Sequence, residues 1–250
     1  QAGRQQRRRK EAGADQAWLG RKVAAAVAMS QIFVLAGCNG AGKSSLGGQA
    51  FLASGIPYFN PDLAAREAIS VASTRGRTMT QGEANAWAWN EGVARLRRGV
   101  AERGNYAFET TLGGDTMVGL LTEAADAGLA INVWFVGLDS VELHVARVRQ
   151  RVVRGGHDIP RADIERRYVR GRVNLIRLLP KLSQLAVYDN SAQADPDAPK
   201  KVAPRLLLRS VGGTIIGPSD LSQTPAWAKP IVAAAIKLDH SRRPAPGERD

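Results

Sequence analysis

The sequence predicts a three-layer α/β fold: a parallel five-stranded sheet between helices, with a C-terminal β-hairpin and helix added to it. Three observations predict it. Short apolar runs alternate with longer segments of helical period, the pattern of successive βαβ units. A glycine-rich turn follows the first apolar run directly. After Ser191 the pattern changes to a polar, proline-containing stretch and then two short apolar runs around Gly212-Gly213.

The elements follow in order. Ile32–Ala36 is continuously apolar, as a strand buried on both faces should be. A helix is expected from about Lys43 to Leu52 and a second strand at Pro57–Phe59. Asn60 caps the next helix, with Pro61 at its first position. Thr80-Gln81-Gly82-Glu83 is a capping box opening a helix to about Arg103, with Trp89, Val93, Leu96 and Val100 on its core stripe and Gly104 as its stop. Tyr106–Phe108 is the third strand, Asp115–Ala127 a helix closed by Gly128, and Ile131–Val136 the fourth strand. Asp139 or Ser140 caps a helix ending at Gly155-Gly156. Pro160 opens another, stopped by Pro180, and Leu185–Tyr188 is the fifth strand. Leu206–Arg209 and Thr214–Ile216 form the hairpin, and Ala226–Leu238 the last helix. The organisation expected is a basic, disordered extension over 1–28, a core domain over 29–191, a linker over 192–204, the hairpin and helix over 205–238, and a disordered tail over 239–250.

Composition narrows the function. Hydrophobic residues are 44% of the 250, enough for a sizeable core. The net charge is +12, and the pI near 10.5. Within 1–28, Arg4, Arg7, Arg8, Arg9, Lys10, Arg21 and Lys22 stand against Glu11 and Asp15, so the body keeps most of the excess. A basic body favours anionic ligands such as nucleotides, sugar nucleotides or nucleic acid. One cysteine, Cys38, forbids an intrachain disulfide and suits a reducing cytoplasm. Three scattered histidines make no zinc site. No apolar run reaches the ~18 residues that span a membrane. The stretch from Arg21 to Cys38 resembles a lipoprotein signal, but cleavage before Cys38 would cut through the glycine-rich turn; Met29 is the better expected start.

That turn, Gly37-Cys38-Asn39-Gly40-Ala41-Gly42-Lys43-Ser44, is a complete G-x-x-x-x-G-K-[ST] phosphate loop (P-loop) between a strand and a helix, the context the motif needs. Its backbone N–H groups and the helix N-terminus suit ATP phosphates. Lys43 should bridge the β- and γ-phosphates, and Ser44 should ligate Mg²⁺. Gly37, Asn39, Gly40, Ala41, Gly42, Lys43, Ser44 and Ser45 are the nucleotide-binding candidates. No N-K-x-D guanine motif is present. Leu46-Gly47-Gly48-Gln49 lies too close to the loop to be a separate ABC signature, and Asp139 reads as a helix cap rather than a Walker B acid. What remains is the small-molecule kinase class, whose acceptor residues come from the carboxyl ends of neighbouring strands. Asp62, after the second strand, is either the base for the attacking hydroxyl or a first-turn helix acid. Glu109, Thr110 and Thr111 end the third strand at the same edge; Glu109 could bind acceptor hydroxyls or a Mg²⁺-bound water. Arg147, Arg149, Arg151 and Arg154 run into Gly155-Gly156-His157-Asp158-Ile159-Pro160 and then Arg161, Arg166 and Arg167, a mobile lid over about 147–168 that would bring guanidinium groups onto the γ-phosphate. Arg149 and Arg161 are the candidates for plain solvated positions.

The ordered set G-C-N-G-A-G-K-S-S at 37–45, F-N-P-D at 59–62, F-E-T-T-L at 108–112, R-V-R-Q-R-V-V-R-G-G-H-D-I-P at 147–160, R-R-Y at 166–168 and V-Y-D-N-S at 187–191 resembles the zeta-toxin family of P-loop kinases, in particular a chromosomal subgroup. The resemblance covers roughly residues 30–191. It implies Asp62 as catalytic base, with Lys43, Arg154 and Arg167 acting on the phosphates. It also implies that the segment holding Asn190 passes near the adenine. UDP-N-acetylglucosamine is the acceptor it implies, and an antitoxin protein the partner. A nucleic-acid 5′-hydroxyl, a dinucleotide or an antibiotic hydroxyl fits the same motifs, as does a non-catalytic ATP-binding interaction protein.

Overall fold

The computed structural model describes residues 30–48, 51, 55–192 and 203–242. The expected extension over 1–28, most of the linker and the last eight residues of the chain lie outside the described residues. Strands β1 (Gln31–Ala36), β2 (Tyr58–Phe59), β3 (Tyr106–Thr110), β4 (Ala130–Gly137) and β5 (Gln184–Asp189) run parallel in the order β2-β3-β1-β4-β5. The expected five parallel strands are not the whole sheet. β6 (Arg205–Val211) pairs antiparallel with β5, and β7 (Thr214–Gly217) antiparallel with β6, giving one mixed seven-stranded sheet. The reason is the bare edge of β5, whose N–H and C=O groups β6 satisfies. Gly212 and Gly213, at φ 55° and 83°, supply the two left-handed residues of the hairpin turn.

The sheet is buried on both faces. Ile32, Val34 and Ala36 of β1 face the larger core, with Leu121, Leu175 and Ile231 from three helices. Phe33 and Leu35 face the opposite side, where Phe51, Trp134 and Tyr188 make a compact aromatic cluster. This is the alternation a pleated strand imposes.

The helices are α1 (Pro61–Thr74), α2 (Gln81–Ala101), α3 (Asp115–Asp126), α4 (Val141–Val153), α5 (Arg161–Leu178) and α6 (Lys229–Arg242). Asn60 caps α1 by accepting from the N–H groups of Asp62 and Leu63, and the capping box of Thr80 and Glu83 opens α2. Ser140, not Asp139, caps α4 through its hydroxyl. The core stripe of α2 differs from expectation. It does so at Trp89, which is 40% exposed; Leu96 is buried and Val93 and Val100 pack against the core as expected, and Ala84, Ala88 and Gly92 add a row of small inward residues. Small residues there let α1 and Phe59 approach; a Cβ on Gly92 would lie 2.9 Å from the Phe59 ring. The left-handed residue ending α2 is Arg103 (φ 50°), with Gly104 N–H donating to Gly99 O. Of the phosphate-loop helix, the described stretch Ser44–Gly48 is a π-helical turn, with Gly47 against Leu35. The last helix runs to Arg242, beyond the expected Leu238.

Candidate active site

β1 lies at the centre of the parallel strands, between β3 and β4, so the carboxyl ends of β1, β3 and β4 bound one crevice. The phosphate loop leaves β1 into it. Gly37 has φ 138°, its N–H donates to Thr110 O at 3.2 Å, and a Cβ there would sit 2.1 Å from Val136 O. Gly42 has φ 89° and would put a Cβ 2.5 Å from Asn190 Nδ2. Only glycine fits either position. Lys43 Nζ donates to Gly37 O at 3.0 Å, bracing the loop with the group expected to reach phosphate.

The loop is held from outside by side chains from β5 onward and from α4 and α5. Asn190 Nδ2 donates to Ala41 O at 2.8 Å, and Arg147 donates to Asn190 O at 2.8 Å. Arg167 donates to Asn39 Oδ1 at 2.9 Å. The buried His144 donates through Nδ1–H to Asn39 O at 2.7 Å, and its ring meets Tyr168 edge-on. Burial pushes the His144 pKa down to about 4; the Asn39 hydrogen bond opposes the shift, while Lys43, Arg147 and Arg172 add to it. His144 is therefore neutral near pH 7. Burial also raises the Cys38 thiol, which donates to Ile164 O, so it is a packed thiol rather than a reactive thiolate.

On the acceptor side, one asparagine links two of the candidate residues. Asn60 Nδ2 donates to Ser44 Oγ at 3.3 Å, and Asn60 Oδ1 accepts from Asp62 N–H at 2.9 Å. The half-exposed Asp62 carboxylate receives Arg151 on Oδ2 at 2.9 Å, while Oδ1 lies 3.9 Å from His157 Nε2. Desolvation lowers the His157 pKa from its ordinary value; Asp62 opposes this, and Arg151, Arg66 and Arg167 reinforce it. Glu109 is buried at the end of β3 and accepts from the Tyr58 hydroxyl. Burial first, then the Glu109 charge, raises the Tyr58 pKa. Thr110 Oγ1 and Thr111 Oγ1 accept from the N–H groups of Leu112 and Gly113, so both hydroxyl oxygens shape their own turn.

The structure thus brings Lys43, Ser44, Asn39 and Arg167 together around the loop, with Asp62 tied to Ser44 through Asn60. It does not bring Arg154 there: Arg154 is exposed at the C-terminal cap of α4. Arg151 reaches Asp62 instead. Arg161 pairs with Glu142 and Glu165 at the surface. Asn190 faces the loop carbonyl at Ala41, and the side chain of Ser45 lies outside the described residues. Of these partners Tyr58 and His144 lie outside the quoted motifs; Asn60, Arg151 and His157 lie inside them, but the motifs do not give their contacts. One signal for two of them is periodic: His144, Val148 and Arg151 form one inward stripe of α4. Among the described residues no group of three or more metal-binding side chains occurs, and no helix is long and apolar enough to cross a membrane. The donor set nonetheless fits Mg²⁺, which asks for a hydroxyl or carboxylate or two and otherwise keeps water and phosphate oxygens; Ser44 Oγ is exposed and Glu109 lies on the next strand.

No protein-family model matches the chain. A 63-residue stretch, 25% of the chain, is 30% identical to an uncharacterized protein of Haemophilus influenzae and spans 45% of it, less than half of that protein's length. Three solved structures share the fold. The AvrRxo1-ORF1:-ORF2 complex with ATP aligns with a TM-score of 0.58 at 13% identity, covering 99% of this chain and 76% of the other. The native AvrRxo1 complex aligns at 0.59 and 13%, covering 94% and 79%. A chain of the PezAT chromosomal toxin–antitoxin system of Streptococcus pneumoniae aligns at 0.51 and 13%, covering 93% and 96%. At these identities the likeness is one of fold: the chain shares the architecture of the AvrRxo1 and PezAT chains.

Proposed function

We propose that the chain is an ATP-dependent kinase that transfers the γ-phosphate to a hydroxyl of a small acceptor, with UDP-N-acetylglucosamine as the first acceptor to try. The observation that carries the proposal is the Asn60 bridge: one side chain bonds both the serine of the phosphate loop and the turn presenting Asp62. The cap half of that bridge goes to the backbone N–H of Asp62, so the same asparagine that starts α1 fixes the turn presenting the carboxylate beside the phosphate loop. Arg151 holds Asp62 Oδ2, leaving Oδ1 to accept the proton of the attacking hydroxyl. His157, neutral near pH 7, does not add a second fixed cation to that carboxylate. Lys43 exchanges its loop carbonyls for phosphate oxygens, and Arg167, already at Asn39, compensates charge on the phosphoryl group in transfer. Ser44 would hold Mg²⁺, with Glu109 at the carboxyl end of β3 as the candidate carboxylate, and the ion would neutralise phosphate charge when bound. Arg154 joins only if segment 154–160 closes.

The ATP-bound complex among the structural neighbours supports the nucleotide, and the two-component neighbours support a protein partner of the antitoxin kind. A single buried cysteine fits the cytoplasm. The test is ATP consumption with and without UDP-N-acetylglucosamine, with product mass measured. A product heavier by one phosphoryl group, absent with Asp62→Asn although that variant still binds ATP, is the expected result. If Asp62→Asn loses ATP binding as well, the base role fails. If ATP binds but no acceptor-dependent turnover occurs, the sugar nucleotide is wrong, and nucleic-acid 5′-hydroxyls follow because of the charge, with steep salt dependence as their mark.

A further inference from the structure

The loop after β3 is held in an unusual conformation by one face of α5. Leu112 is a non-glycine residue at φ 51°, and its side chain is fully buried. Left-handed backbone is unfavourable for an L-residue, so the surroundings must impose it. They do so at three positions spaced by about a turn along α5. A Cβ on Gly113 would lie 2.9 Å from Arg167 Cγ. A Cβ on Gly171 would lie 2.7 Å from Thr111 O, so the helix backbone is seated on that carbonyl. Asn174, 1% exposed, donates through Nδ2 to Leu112 O at 2.7 Å and to Gly114 O at 3.4 Å, while its Oδ1 accepts from Arg177 at 3.2 Å. A buried amide is costly unless its hydrogen bonds are made, and here they are spent on two carbonyls of a loop that no strand or helix pairs.

We propose that Gly171 and Asn174 are positioning residues that fasten the acceptor-side loop, residues 110–114, to the helix carrying Arg167, so that loop and arginine move as one body against the phosphate loop. The proposal rests on the nucleotide reading above, since Arg167 meets the phosphate loop at Asn39. It also divides the expected lid. α5 is anchored to the sheet edge at residues 171 and 174, and only the end of α4 with segment 154–160 is free to close. Acceptor-loop geometry and phosphate-sensing charge are then set together, before any closure.

The test is hydrogen–deuterium exchange of the full chain with and without ATP and Mg²⁺, which needs no acceptor and no turnover. In the wild-type protein nucleotide should slow exchange at 37–48 and also at 110–114. In Gly171→Ala and in Asn174→Leu the slowing at 37–48 should persist and that at 110–114 should be lost. A purely structural Asn174 would instead lower stability and leave the split unchanged. Wild-type protection at 37–48 without any at 110–114 overturns the coupling and leaves the nucleotide site standing, whether or not either variant folds. So does an unaltered 110–114 response in folded Gly171→Ala. No protection at 37–48 overturns the nucleotide reading and this inference with it.

Discussion

Replacing His144 with glutamine isolates one proton in the stability of the phosphate loop. The imidazole is buried, donates to Asn39 O, and has its pKa pushed down to about 4 by desolvation, against the ordinary 6.5. A base depressed in this way stays neutral in the folded chain while the unfolded chain takes up a proton. Its contribution is therefore complete above pH 6.5, declines as pH falls, and levels off below about 4. The slope approaches about 1.4 kcal/mol per pH unit, and the full loss between those two pH values is on the order of 3 kcal/mol. A glutamine amide can still donate to Asn39 O and does not titrate. The assay is urea unfolding of both proteins at intervals from about pH 7.5 to about 4.5, a window that takes in most of this loss. Carboxylates and His157 titrate in both, so the difference between the two curves reports His144. The wild type should lose more stability than the variant as pH drops from 6.5. Parallel curves across that window would show that His144 carries its proton in the folded chain, and the account of a neutral, loop-bracing histidine would be refuted.

Gly37→Ala places a methyl 2.1 Å from the Val136 backbone carbonyl, so the loop must shift; calorimetric ATP affinity should drop by more than about tenfold, ~1.4 kcal/mol. Arg151→Ala removes the group holding Asp62 Oδ2 and should lower kcat by about 10–100-fold at little cost in ATP binding. Arg154→Ala should do less, and the opposite ranking would mean that closure of segment 154–160 delivers Arg154. Trp227→Ala empties a buried site on Gly137 and should cost about 3–5 kcal/mol in denaturant unfolding. Gly137→Ala, whose methyl would lie 2.3 Å from the Trp227 ring, should destabilise alone and less so in Trp227→Ala; strict additivity would count against that contact.

What was legible in the sequence was what local chemistry dictates. The phosphate loop must be contiguous, because its N–H groups surround one ligand, and its glycines, lysine and serine therefore stand in a fixed string. Caps at Asn60 and Thr80 are equally local. The contacts that escaped bridge distant parts of the chain: Tyr58 to Glu109, Asp62 to Arg151, Asn174 to Leu112, and Trp227 to Gly137. The hairpin was legible from Gly212-Gly213, but its docking on β5 was not, because pairing register depends on an edge that only the assembled sheet defines. On α2 the apolar stripe holds at Val93, Leu96 and Val100 but not at Trp89, and the row of Ala84, Ala88 and Gly92 beside it was not legible because closeness to a neighbour, not apolar size, puts small residues there.

Arg151 rather than Arg154 reaches Asp62 for a reason visible in helix geometry. His144 and Val148 face inward on α4, and the next position on that face is 151, three residues further. Arg154 falls on the cap, where the backbone leaves the helical repeat. The two glycines that follow are not equivalent. Gly155, at φ 83°, has open space where a Cβ would be, whereas a Cβ on Gly156 would lie 2.7 Å from Arg151 Cγ. Arg151 also donates to His157 O at 3.1 Å, on the far side of that pair. A swing of segment 154–160 about Gly155 therefore pulls on the same side chain that orients the Asp62 carboxylate. On the proposed mechanism, closing the segment and aiming Asp62 would be one movement, linked by an arginine that belongs to α4 rather than to the turn after it.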